Sequence, residues 1–161
     1  MITTSKIKPC LWFDREGEEA ANFYVSLFPD SRVTSVSRYG EAGPGEPGSA
    51  MVVTFELSGL PFMALNGGPV SYRLSEAFSL SVDCADQAEV DYYWDALGAG
   101  GEYSRCGWLK DRYGLSWQIT PRRLPELLSS ADTAGAARAM RAMMGMAKID
   151  IAAIEAAYAR I

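Results

Sequence analysis

Residues 86–101 read DQAEVDYYWDALGAGG, and residues 15–29 read REGEEAANFYVSLFP. In the first stretch Val90, Tyr93, Trp94 and Leu97 fall three and four apart, the spacing of one helix face. Asp86 stands where a cap belongs, with Glu89 three residues on, and Gly98, Gly100 and Gly101 stop the helix. In the second stretch Ala20, Phe23, Tyr24, Leu27 and Phe28 fall at helical spacing and Pro29 ends the run. A shift of 70 residues lays Ala20, Phe23, Tyr24 and Leu27 on Val90, Tyr93, Trp94 and Leu97. Two amphipathic helices could match by coincidence. The order of the elements around them points instead to a repeat.

Each helix follows an apolar, strand-prone run. KIKPCLWFD (6–14) precedes the first, and EAFSLSVDC (76–84), with Phe78, Leu80 and Val82 on one face, precedes the second. Strands follow each helix. RVTSVSRY (32–39) alternates, and AMVVTFELSG and LPFMALNGG read as two strands joined by a tight turn at Ser58-Gly59. The Gly/Pro-rich GEAGPGEPGS (40–49) is a loop. In the second half, strands are expected around 106–110 and 115–120, linked by Asp111-Arg112-Tyr113-Gly114. The expectation is an α+β fold of two βαβββ modules, module one at about 5–68 and module two at about 75–121, with each helix packed on one sheet face. A helical tail, 122–161, belongs to the same domain. It is rich in Ala and Met, and Asp150 can cap a last helix carrying Ile151, Ile154 and Tyr158. The tail either covers the domain or offers apolar surface to a partner.

Composition narrows the function. Fifteen Lys and Arg against 20 Asp and Glu give a net charge of −5, which argues against nucleic acid as a partner. No apolar run reaches membrane-spanning length, and MITTSKIKPCLWF has no long apolar core or small-residue cleavage site, so no membrane association is expected and the cytoplasm is the expected location. Three cysteines, Cys10, Cys84 and Cys106, form no CxxC and suggest no disulfide framework or zinc knuckle. There is no histidine. Serine–histidine and cysteine–histidine nucleophile pairs and every histidine-ligated metal are thereby excluded.

PCLWFD, EEAANFYVSLFP, FMALNGGP and CGWLKDRYGLSWQI together resemble the PhnB-like branch of the glyoxalase/bleomycin-resistance/dioxygenase (vicinal oxygen chelate) superfamily, a branch often labelled as a 3-demethylubiquinone 3-methyltransferase domain. The resemblance runs over nearly the whole chain, including KIDIAAIEAA in the tail. It implies paired βαβββ modules whose sheets curl around a central cleft, and a homodimer. In metal-using relatives four side chains face that cleft, one from the first and one from the last strand of each module. Carried over, the final-strand position falls on Gln118, four residues after the turn glycine Gly114. The second module's first-strand position falls at Ala77 or Ser79. The first module's places fall at Met63 or Phe62, and at Pro9 or Cys10. None is a carboxylate or an imidazole, whereas a divalent metal needs three or four hard or borderline donors. No metal site and no cofactor is therefore expected.

Methyl transfer of the common S-adenosylmethionine type calls for a Gly-rich turn between a parallel strand and a helix. GEAGPGEPG follows no such strand, and LNGGP reads as a strand end. Asp83, Asp86, Asp14, Glu16, Lys110 and Asp111 read as solvated or capping groups, and Cys106 as a structural thiol. The candidate ligand contacts are Gln118, Trp108, Trp12, Ser79, Asn66, Met63 and Tyr113: aromatics for stacking and a few polar groups to orient a small molecule. Each aromatic could equally be core, and Asn66 could be a turn residue. Two functions stand: a metal-free binding protein for a small molecule, or an enzyme of the same superfamily, either a metal-dependent lyase or dioxygenase or the labelled methyltransferase.

Overall fold

The computed structural model describes residues 5–160. Residues 1–4 of the segment read above for a leader, and Ile161 of the tail, lie outside them. The chain divides into two compact units, one up to Leu74 and one from Ser75 onward.

The first unit runs β1 (Cys10–Phe13), α1 (Gly17–Leu27), β2 (Arg32–Arg38), β3 (Ala50–Leu57) and β4 (Leu60–Asn66). Its sheet has the order β1-β4-β3-β2, with β1 parallel to β4 and the others antiparallel. This is the expected βαβββ module. β1 is shorter than the apolar run, because Ile7 is 83% exposed and pairing begins where Met63 N–H donates to the Pro9 carbonyl at 2.9 Å. The Ser58-Gly59 turn has both residues at positive φ (46° and 80°), the pairing a tight two-residue hairpin requires. Leu11, Phe13, Val53, Phe55, Phe62 and Ala64 point to the helix side and are buried with Ala20, Ala21 and Tyr24.

The start of α1 has no cap from its own sequence. Asn66, at the end of β4, supplies one: its Oδ1 accepts from Gly17 N–H at 2.8 Å, and its Nδ2 donates to the Ala50 carbonyl at 3.0 Å. A Cβ on Gly17 would meet that Oδ1 at 2.7 Å and the Ala64 Cβ at 3.2 Å. Glycine is therefore what lets the helix end sit against the sheet.

The second unit repeats the plan: β5 (Ser79–Cys84), α2 (Gln87–Gly98), β6 (Glu102–Tyr103), β7 (Trp108–Lys110) and β8 (Ser116–Pro121). The order is β5-β8-β7-β6, again with the first and last strands parallel. Asp86 caps α2 by accepting from Glu89 N–H at 3.0 Å, while Glu89 accepts from Ala85 N–H at 2.7 Å, so the return bond of the box lands one residue early. Trp94 stacks on Tyr103 at 4.8 Å between ring centroids.

Several expectations need correction. β5 starts at Ser79, and Phe78 is 40% exposed, outside the inward row of Leu80 and Val82. The two-residue β6 was missed, being too short to show alternation. Cys106 does not begin a strand but sits in a left-handed turn with Gly107 (φ 56° and 81°). The helix faces match at a different shift. The buried set of α1 is Gly17, Ala20, Ala21 and Tyr24, that of α2 is Val90, Tyr93, Trp94, Leu97 and Gly98, and Phe23 and Leu27 are only half-buried.

The tail forms α3 (Arg123–Leu128), α4 (Thr133–Met144) and α5 (Ile151–Ala159), and it has a small core of its own in Leu124, Leu127, Ala139, Ile149 and Ile154. Asp150 caps α5, as expected, by accepting from Ala153 N–H at 2.9 Å. The segment between α4 and α5 is held through its backbone. Cys106 and Gly107 N–H donate to the Met146 and Ala147 carbonyls at 2.8 Å each, and Gln87 donates to the Ile149 carbonyl and accepts from Ile151 N–H at 3.0 Å each. No described helix is long and apolar enough to cross a membrane.

Candidate functional site

In each unit the helix covers one sheet face and leaves the other open. Strand alternation decides which side chains stand there. In the first sheet Leu11 and Phe13 are covered by α1, so Cys10 and Trp12 lie on the open face. Register places Cys10 beside Met63 and Trp12 beside Leu65. This resolves two open alternatives: Met63 is on the open face, whereas Phe62 is buried in the core. Trp12 is closely held. Its Nε1 donates to the Gly68 carbonyl at 3.0 Å, a Cβ on Gly67 would fall 2.2 Å from its ring, and Tyr72 meets it edge-on at 5.6 Å.

In the second sheet Val82, Cys84, Leu109, Trp117 and Ile119 are buried. The open face therefore carries Ser79 and Ser81 from β5, Ser116 and Gln118 from β8, and Trp108 and Lys110 from β7. Register arranges them in two rungs. One is Ser81–Gln118–Trp108, and the other is Ser79–Ser116–Lys110. Gln118 Nε2 crosses between rungs to donate to Ser79 Oγ at 2.9 Å. Three expected site residues, Gln118, Ser79 and Trp108, thus meet on one face. Ser81, which stands directly beside Gln118 in register, was missed. The sequence offers its alternation but not which residue of β5 lies opposite which of β8.

Two other candidates are used structurally. The Asn66 amide caps α1 and bonds Ala50, as described above. Tyr113 lies in the β7–β8 turn, where its hydroxyl accepts from the Arg112 guanidinium at 3.1 Å and its ring lies 5.1 Å below it.

That turn depends on a residue read as solvated. Asp111 is 3% exposed. Its Oδ1 accepts from Tyr113 N–H at 2.8 Å and Leu115 N–H at 3.1 Å, and its Oδ2 accepts from the Trp117 indole N–H at 2.8 Å. A carboxylate with several donors is the arrangement that makes burying a charge tolerable. It sets the geometry of the hairpin from which Gln118 projects.

The thiols differ. Cys84 is buried, and burial pushes its pKa up to about 12, so it stays protonated at neutral pH. Cys10 is exposed, with a pKa also raised by partial burial. Cys106 Sγ lies 3.7 Å from the Met143 carbonyl.

Each unit contains an open cavity. In the first, about 520 Å³ lies beside Asp14, Glu18, Arg38, Tyr39 and Asn66, and Glu18 pairs with Arg38 at 2.9 Å. In the second, about 450 Å³ is lined by Trp108, Lys110, Ser116, Arg105, Glu76 and Glu102 among others. Lys110 Nζ lies 3.0 Å from Glu76. That hydrogen bond raises the ammonium's pKa, while a backbone hydrogen bond and the same lysine hold the Glu76 carboxyl below its usual range.

The family model described as 3-demethylubiquinone-9 3-methyltransferase matches residues 5–120. The chain belongs to this family. Among solved structures, this PhnB-like chain is similar to the PhnB protein from Bacillus cereus, which carries the 3-demethylubiquinone-9 3-methyltransferase name. The two share 38% identity over 73% of this chain and 99% of that one, with a TM-score of 0.69. Protein PA1353 from Pseudomonas aeruginosa shares 21% identity over 71% of this chain and 95% of that one, with a TM-score of 0.58. The fosfomycin resistance protein FosX from Listeria monocytogenes, in complex with Mn(II) and sulfate, shares 16% over 73% and 90%, with a TM-score of 0.51. The latter two show the fold alone. No curated protein matches the chain significantly. The glyoxalase/bleomycin-resistance-like fold expected from the resemblance is the fold observed.

The superfamily's metal can be tested against the donors present. The positions that correspond between the two modules are Cys10 and Met63 in the first sheet and Ser81 and Gln118 in the second. The first sheet's pair offers a thiol and a thioether, and the second sheet's pair a hydroxyl and an amide. Hard divalent cations take carboxylate and carbonyl oxygens, and borderline ones take imidazole and thiolate. Neither pair by itself fits such an ion. Among the described residues no three Cys, Asp or Glu side chains gather closely enough to hold an ion. The Gly-rich residues 40–49 join two antiparallel strands, β2 and β3, and open no helix. This is not the strand–turn–helix that cradles a nucleotide.

Proposed function

We propose that this PhnB-like protein binds a small molecule on its open sheet faces without a divalent metal. The observation that carries the reading is the pairing of Ser81 with Gln118 and its bond to Ser79, at the place where metal-using relatives present a ligand. An amide is both donor and acceptor. Fixed by Ser79, Gln118 orients a polar group of the ligand while Trp108 beside it offers stacking area. Trp12 and Met63 give the first sheet an apolar counterpart. The protein works as a homodimer, with exposed Met140 and Met144 on α4 as adaptable contact surface. A light-scattering mass of one chain at high concentration would remove the dimer from this reading.

The deciding experiment joins elemental analysis of untagged protein, dialysed without chelator, to a thermal-shift screen of small molecules. Less than a tenth of an equivalent of metal, and a stabilising ligand whose effect falls in Gln118→Ala, is the expected result. At a ligand concentration of about 100 times Kd the stabilisation is ~2.7 kcal/mol. A molar equivalent of zinc, nickel, manganese or iron that is lost with Gln118 overturns the reading.

A further inference from the structure

Ser116 is 1% exposed, and its Oγ is the one buried side-chain oxygen or nitrogen without a hydrogen-bond partner among the described residues. An unmet buried hydroxyl is costly, and in a native structure it calls for an explanation. Ser116 lines the 450 Å³ cavity of the second unit, and register sets it beside Lys110 on the open face. Trp108, two residues before Lys110 on β7, lines the same cavity, with Gln118 as its neighbour in the adjacent rung. Ser116, whose hydroxyl lacks a partner, thus stands in the cavity wall with an aromatic face within a rung's distance.

Charge narrows the class of guest. Glu76, Glu102, Arg105 and Lys110 all line the cavity, two carboxylates and two cations. Lys110 is already engaged by Glu76, and Glu102 stands opposite it in register on β6. An anion would have to displace a carboxylate from Lys110 and approach a chain of net charge −5. A cation would meet Lys110 and Arg105. A neutral guest leaves the Lys110–Glu76 pair undisturbed.

We propose that this cavity binds an uncharged aromatic molecule bearing a hydroxyl or carbonyl oxygen, with its ring on Trp108 and its oxygen on Ser116 Oγ. The inference rests on the small-molecule reading above and names the ligand class of that face.

The test titrates ¹⁵N-labelled protein with four probes of one shape: benzyl alcohol, toluene, benzoate and benzylamine. Benzyl alcohol is expected to move the Ser116 and Gln118 amide signals and the Trp108 indole signal saturably. The other three should bind about tenfold or more weakly, the loss expected for one hydrogen bond left unmade or one charge misplaced. In Ser116→Ala, whose well-dispersed spectrum would report an intact fold, benzyl alcohol and toluene should become equal. In Trp108→Leu all four probes should weaken. Tighter binding of benzoate or benzylamine, or an alcohol preference that survives in Ser116→Ala, overturns this inference and leaves the broader binding reading standing. No response to any probe at these signals overturns both for this face.

Discussion

Replacing Asp111 with alanine tests the load on the β7–β8 hairpin. The carboxylate accepts from Tyr113 N–H, Leu115 N–H and the Trp117 indole, at 2.8 to 3.1 Å. Hydrogen bonds to a charged group are worth about 1.5–3 kcal/mol each, and the three share one desolvation cost, so their sum is not additive. Trp117 is 1% exposed, so the variant strands its indole N–H away from water, at about 1–3 kcal/mol. A total loss of about 3–5 kcal/mol follows, read by urea denaturation, and a fall of about 10 °C in Tm for a chain of this size. The Asp111/Trp117 pair can be isolated with Trp117→Phe, which keeps the ring and removes the donor. The double variant should show a coupling of about 1–2 kcal/mol. A loss below about 1 kcal/mol for Asp111→Ala, or no coupling, would mean that the carboxylate does not set this hairpin.

Trp94→Ala should cost about 3–5 kcal/mol by the same assay, since the ring is buried on α2 and stacked on Tyr103; a loss under about 1 kcal/mol would mean that the face of α2 is misassigned. Ile154→Ala should cost about 2–4 kcal/mol, because Ile154 fills the tail's own core, and an unchanged urea midpoint would show that α5 is not packed as described. In native protein at pH 8, Cys10 and Cys106 should react with a thiol reagent and Cys84 only after unfolding; fast labelling of all three would contradict the burial of Cys84. The same thiol should make stability fall as pH rises past about 8.5, where the unfolded thiol ionises and the folded one, raised to about 12, does not. Cys84→Ala should flatten that alkaline slope.

The sequence discloses the order of elements because local pattern carries it. Alternation in RVTSVSRY became β2 within one residue, and Asp86 and Asp150 cap the helices they precede. The repeat was visible, but its helical offset was ambiguous. Three residues make nearly a full turn, so Phe23 and Leu27 could stand in for the true inward set containing Gly17 and Ala21. The site was half legible. Alternation assigns a face to each strand residue, yet register between β5 and β8 is a relation between segments far apart in the chain, which is why Ser79 was picked and Ser81 overlooked. Asp111 and Asn66 misled for a related reason. A polar residue near a turn reads as solvated or turn-forming until its distant partners, Trp117 and Gly17, are known.

The segment from Met146 to Ile151 is held by its peptide groups as well as by its side chains, with Ile149 in the tail's core and Lys148 Nζ 2.8 Å from Asp91 on α2. Two backbone amides at the Cys106-Gly107 turn and the two ends of one glutamine amide, Gln87, grip its peptide groups. Gln87 acts as a detached peptide unit, offering the donor and acceptor that a neighbouring strand would. The main-chain part of this grip reads shape and not residue identity. Sequence drift at Ala147 should leave these backbone bonds intact, while a change at Lys148 removes its ion pair with Asp91; proline at Ile151 removes the N–H that Gln87 receives, and a change at Gln87 removes both bonds at once. The tail lies past residue 120, where the family match ends. Part of its attachment is thus written within the matched region, in Gln87 and the Cys106-Gly107 turn, and part in the tail itself, in Lys148.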